Sequence, residues 1–101
     1  MQNANQIKIR QIQNLIANEF NITIEKLLSE TRKAEIAYAR QISMYLCRFN
    51  TRATLKEIAN LHNRDNHGTV IHASEIIGYD VRKKESLRNA IEKIEQIIKT
   101  Y

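Results

Sequence analysis

A chain of 101 residues, 43% hydrophobic and 27% charged, carries one modest core, which excludes a disordered segment and a two-lobed enzyme around a cofactor cleft. Two glycines and no proline exclude an all-β fold, whose tight hairpins draw on both residue types. Sixteen Lys and Arg against eleven Asp and Glu leave a net charge of +5, which favours a polyanionic partner, nucleic acid before anionic membrane.

The fold class expected is all-α, with about five to six helices in a single domain over residues 1–101. Ile9, Ile12, Ile16 and Phe20 recur at spacings of 3, 4 and 4, one face of a helix from about residue 6 to 20. Residues 21–23 break it, and Thr23 caps a short helix that carries Leu27 and Leu28. The string Ser29-Glu30-Thr31-Arg32-Lys33 is polar and basic and reads as a loop. From about residue 34 to 49, Ala39, Ile42, Leu46 and Phe49 repeat at 3, 4 and 3. Tyr38, Met44 and Tyr45 widen that apolar surface, which makes this helix the central buried one.

Asn50 and Thr51 end the central helix, and Thr54-Leu55-Lys56-Glu57 fits a capping box. The box opens a short helix with Leu55, Ile58 and Ala59 inward. A polar stretch follows, His62-Asn63-Arg64-Asp65-Asn66, and then Val70, Ala73, Ser74 and Ile77 mark another helix. Gly78 is the C-cap expected for it. Two short helices around a turn, with small Ala59 at their crossing, read as a helix-turn-helix. A last helix, from near Val81, turns Leu87, Ile91, Ile94 and Ile98 inward.

Between Glu35 and Glu57 there is no acidic residue, whereas Arg40, Arg48, Arg52 and Lys56 fall in that interval. The excess positive charge is therefore expected around the central helix and the start of the helix-turn-helix. In general Lys, Arg and helix N-termini contact phosphates without reading sequence, whereas side chains from the second helix of such a motif can reach base edges in the major groove. Surface pairing with nearby acids is the plainer alternative for Arg40 and Arg48.

Catalytic and metal chemistry find little support. His62, His67 and His72 recur every five residues, about 140° apart on a helix, and zinc wants a compact set of four ligands. His72, between Ile71 and Ala73, reads as a hydrogen-bonded structural histidine. The single cysteine, Cys47, permits no internal disulfide and sits mid-helix as a buried, inert thiol. Tyr38 and Tyr45 share a helix face and read as core packing. No enzyme activity, metal, cofactor or small-molecule substrate is expected. No apolar run approaches the ~20 residues needed to cross a bilayer, and the first residues are polar, so a cytoplasmic location without membrane attachment is expected.

Three strings carry a likeness: Arg40-Gln41-Ile42-Ser43-Met44-Tyr45-Leu46, the later Glu57-Ile58-Ala59, and Arg64-Asp65-Asn66-His67-Gly68-Thr69-Val70-Ile71-His72-Ala73. In this order, with Leu27-Leu28-Ser29 before the basic loop, they resemble the C-terminal DNA-binding domain of the bacterial replication initiator DnaA, over nearly the whole chain. The resemblance implies an all-α, Trp-repressor-like fold with a central helix-turn-helix that binds short duplex repeats at replication origins. It implies that Arg32 enters the minor groove from its loop. Arg40, with Thr54, Leu55 and Lys56 at the helix start, touches the phosphate backbone. His67 and Thr69, with Asp65 or Asn66, lie at the major-groove end of the recognition helix. Arg64 and Gly68 belong to the same matched run and complete the expected DNA-binding set.

The chain departs from the family at this tip. Asn66 stands between Asp65 and His67, where the family places Asp directly before His, and Gly68 replaces a Ser or Thr. Asn66 either caps the helix or contacts adenine through both amide atoms. His62 stands where an apolar residue, often Phe, is expected, and Lys56 where Pro is also found. No Gly-x-x-x-x-Gly-Lys-Ser/Thr phosphate loop occurs, so the family's ATPase function is not carried by these residues. Met1 and the altered tip favour a stand-alone relative over an excised domain. The function expected is sequence-preferring binding of double-stranded DNA, related to origin recognition. The alternative is a protein-interaction module of the same fold that has lost specific DNA binding. The acid-free interval favours the first, and Asn66 with Gly68 favours the second. An RNA binder would need an exposed aromatic platform.

Overall fold

The computed structural model describes residues 3–101. Among them are six helices and no strand: α1 (Ala4–Glu19), α2 (Ile24–Leu27), α3 (Ala34–Asn50), α4 (Leu55–Leu61), α5 (Gly68–Lys83) and α6 (Glu85–Ile98). α3 packs against each of the other five and forms the axis of the core. Ile9, Ile12 and Ile16 of α1, Ala39, Ile42 and Leu46 of α3, Ile58 of α4 and Val70 and Ile77 of α5 are all buried against one another. Ile91, Ile94 and Ile98 of α6 close the same core. Burying each large aliphatic side chain is worth about 1.5–3 kcal/mol relative to leaving it in water.

Local chemistry fixes the helix ends. Asn3 Oδ1 accepts from the Gln6 amide at 2.8 Å, and Gln6 Oε1 accepts from the Asn3 amide at 2.9 Å, a capping box at α1. Thr23 Oγ1 accepts from the Lys26 amide at 3.1 Å at α2. Thr54 and Glu57 exchange the same pair of bonds, both 3.1 Å, at α4, as their spacing predicts. α1 and α4 end alike, each on an asparagine in the left-handed region, Asn21 at φ 55° and Asn63 at φ 59°. Asn is the residue after Gly that tolerates this conformation best.

Three expectations are corrected. Phe49 is 59% exposed rather than buried. Ten residues advance a 3.6-residue helix by about 80° less than three full turns, so Phe49 has rotated away from the side Ala39 shares with the core. Ser43 and Cys47 fill that side instead. Gly78 does not cap α5 but lies inside it, because half-buried Val81 continues the inward stripe one turn past Ile77. The chain breaks at Lys84 (ψ 107°), and the last helix begins there rather than near Val81. No helix is long and apolar enough to cross a membrane among the described residues.

Candidate nucleic-acid interface

The turn between α4 and α5 is built from backbone bonds around Asn63. Its amide donates to Asn60 O at 3.0 Å, and the Arg64 amide donates to Ala59 O at 2.8 Å, closing the orphan carbonyls of α4. His62, read as part of a polar turn, is completely buried. Its Nδ1 lies 2.8 Å from Ile58 O, which can only accept, so Nδ1 carries the ring proton. Nε2 is then the acceptor for the Ser43 hydroxyl at 2.8 Å. Burial is the main reason the ring's pKa falls to about 4, so it is neutral near pH 7. Buried Gln13 of α1 donates through Nε2 to Leu61 O at 2.8 Å, and Arg10 reaches the same oxygen at 3.1 Å. The turn is thereby pinned from α1 and α3 beneath.

The loop ahead of α3 is tied to the same turn. Arg40 is 7% exposed, and its Nε donates to Leu27 O at 2.8 Å. Its two terminal nitrogens both reach Thr31 O at 3.3 Å. Arg40, expected at the phosphate backbone, is thus held by carbonyls on its inner side: α2 is one turn long, its Leu27 carbonyl lacks a helical partner, and Arg40 supplies one. Burial, and then the nearby Arg64 charge, lower its pKa from the usual guanidinium value. Arg32 itself is exposed.

At the start of α5, Asn66 Oδ1 accepts from the Gly68 amide at 2.8 Å, so of the two roles open to Asn66 the capping role is the one seen. The Thr69 hydroxyl donates to Asn66 O at 2.9 Å. His67 is exposed, and its side chain makes no capping bond. His72, expected to be a hydrogen-bonded structural residue, is exposed and without a hydrogen bond among the described residues. It stands three residues after Thr69, on the outer side of α5, a position that helical spacing alone identifies.

Two adjoining clefts collect these groups. One is lined by Glu30, Thr31, Arg32, Ala37, Arg40, Asn63, Arg64 and Asp65. The other is lined by Ala37, Arg40, Gln41, Met44, Arg64, Asn66, Gly68, Thr69 and His72. The expected residues Arg32, Arg40, Arg64, Asp65, Asn66, Gly68 and Thr69 are thus brought together, and Gln41, Met44 and His72 join them. Thr54 and Lys56 are exposed and Leu55 half-buried at the start of α4, outside both clefts. The basic interval of α3 does not form one surface. Arg48 stacks over the Phe49 ring at 5.5 Å, and Arg52 lines a separate hollow with Lys8 and Lys99. Among the described residues no group of His, Cys, Asp and Glu is arranged to hold a metal, and burial pushes the Cys47 thiol up to about 12.

A seven-residue helix, a turn closed by a left-handed asparagine, and a longer second helix with its first turn open beside a cationic cleft define a helix-turn-helix protein. The pattern of the bacterial DnaA protein helix-turn-helix matches residues 9–77, and the chain belongs to that family. It is 40% identical, over 95% of its length, to the chromosomal replication initiator protein DnaA of Caldanaerobacter subterraneus subsp. tengcongensis. It is 32% identical, over 92% of its length, to the protein of the same name from Porphyromonas gingivalis. The chain spans about a fifth of the length of these relatives, 21% and 20%. A solved structure described as a DNA replication initiation factor superposes with a TM-score of 0.84 at 33% identity, covering 93% of this chain and 29% of that one.

Proposed function

We propose that the chain is a single domain that binds double-stranded DNA with a sequence preference, through α4, the turn and the first turn of α5, in a role related to origin recognition. The observation that carries this reading is the placement of Arg32, Arg64, Asn66 and Thr69 around two adjoining clefts, with the recognition-helix start open to solvent. In this reading α5 enters the major groove, where His67, Asn66 and Thr69 meet base edges. Arg32 enters the neighbouring minor groove, where a narrow A·T tract concentrates negative potential. Thr54, Leu55 and Lys56 meet phosphates at the start of α4, through amides and a cation that carry no sequence information. With one lone pair of its oxygen taken by the Gly68 amide, Asn66 keeps Nδ2 free as a donor for a purine N7, a guanine O6 or a thymine O4. The preferred site therefore differs from the usual origin repeat.

Binding-site selection from a random duplex pool tests this. A discrete motif is expected, distinct from the family's repeat and loosened by His67→Ala. No enrichment of any duplex would favour the protein-interaction module instead.

A further inference from the structure

The backbone just before Arg32 is held by side chains from two other parts of the fold. Leu27 O and Thr31 O take Arg40 of α3, at 2.8 Å and 3.3 Å. Leu28 O takes Asn63 Nδ2 at 3.2 Å, and Ser29 O takes an Arg64 terminal nitrogen at 2.9 Å. The other terminal nitrogen of Arg64 donates to His62 O at 3.2 Å and Asn63 O at 3.1 Å. One planar guanidinium thus bridges the loop and the α4–α5 turn. At its start the loop is tied to α2 by the Ser29 hydroxyl and amide, which donate to Lys26 O at 2.7 Å and 3.2 Å. Beyond Ser29 its own bonds are two long hydroxyl contacts, Thr31 amide to Ser29 Oγ at 3.3 Å and Lys33 amide to Thr31 Oγ1 at 3.4 Å.

We infer that Arg64, assisted by Arg40 and Asn63, is a positioning residue that fixes the loop against the turn, so that Arg32 and the first turn of α5 are presented as one rigid reading unit. Its contribution to duplex binding passes through Arg32 and not through a phosphate contact of its own. The inference rests on the proposed DNA reading for its consequence and on the hydrogen bonds alone for the positioning. A lysine at position 64 keeps the charge but lacks the fork of donors that spans three carbonyls. A phosphate contact would survive that exchange, whereas a bridge would not.

The test has two arms on the whole chain. In the free protein, backbone amide relaxation compares wild type with Arg64→Lys. Residues 30–33 should fall to order parameters below roughly 0.6 in the variant, with α5 unchanged. In complex with an A·T-flanked duplex, a double-mutant cycle pairs Arg64→Lys with Arg32→Ala. Arg64→Lys alone should reproduce most of the Arg32→Ala loss, and the double variant should be within about twofold of Arg32→Ala. Asn63→Gly, which keeps the left-handed turn and removes only the tether to Leu28 O, should move both readouts in the same direction by less, and it serves if Arg64→Lys does not fold. An ordered loop in the folded variants overturns the positioning. Losses that multiply overturn the route through Arg32. A wild-type chain that binds no duplex overturns the DNA reading and that route with it, while loop order still decides the positioning.

Discussion

A Cβ at position 68 would lie 3.1 Å from Asn66 Oδ1, so Gly68 and the Asn66 cap belong together. A Thr there crowds the carboxamide off the helix end, although it gains a few tenths of a kcal/mol in helix propensity over Gly. Losing the cap costs about 1 kcal/mol. Gly68→Thr is therefore expected to lower stability by roughly 0.5 kcal/mol and to change the base preference at one position; an unchanged melting curve and an unchanged preference would mean that the two residues are independent. His62 makes a second residue-level prediction. Its pKa is about 4 in the fold against 6.5 unfolded, so below pH 6.5 the unfolded chain takes up the proton first. The stability that neutral, buried His62 contributes is full above about pH 6.5 and is lost as pH falls towards about 4, by about 3 kcal/mol in all. Denaturant titrations across that range should show the loss in wild type, and the paired variant His62→Phe with Ser43→Ala should remove that part of it. Parallel pH profiles for the two proteins would contradict the assignment.

Among the elements, the two left-handed helix ends are asparagines while both glycines lie within α5. That inversion is why Gly78 misleads as a C-cap. A Cβ at 78 meets only Arg82 Nη1 at 3.8 Å and Tyr45 Cε2 at 4.0 Å, ordinary contacts. Gly78→Ala should then raise stability by up to about 1 kcal/mol, read from thermal or chemical unfolding; a loss would show that the α3–α5 crossing needs the missing carbon. The helices themselves were legible where spacing and caps agreed: the Ile9, Ile12, Ile16 stripe, the Thr23 cap, and the Thr54–Glu57 box that opens α4. Phe49 was not, because a 3-4-3 pattern drifts around a 3.6-residue helix. At the site, family likeness singled out residues that the fold gathers around the two clefts, Arg32, Arg64, Asn66 and Thr69 among them, whereas the burial of Arg40 and His62 was not legible. Their partners are the backbone carbonyls of Leu27, Thr31 and Ile58 and the Ser43 hydroxyl, and carbonyl partners leave no mark in sequence.

Over the whole molecule, the net charge of +5 is divided rather than gathered. Arg32, Arg40 and Arg64 line the clefts beside α5, while Lys8, Arg52 and Lys99 line a hollow next to Phe49. The single ion pair among the described residues, Lys84 with Asp80 at 3.6 Å, lies at the α5–α6 junction, where Tyr38 also donates to Asp80. Docking by α4 and α5 brings Arg32 and Lys56 to the duplex, with Arg40 and Arg64 bonded to backbone carbonyls behind them, and leaves the second set facing solvent. Duplex binding measured by fluorescence anisotropy from ~50 to ~200 mM salt separates the two sets directly, since each neutralised phosphate contributes about −0.9 to the slope of log affinity against log salt. The account predicts a steep linear fall in wild type, a slope flatter by about one unit in Lys56→Ala, and no change in Arg52→Ala. Binding indifferent to salt, or an Arg52→Ala slope flattened as much as that of Lys56→Ala, would contradict docking through α4, the turn and α5.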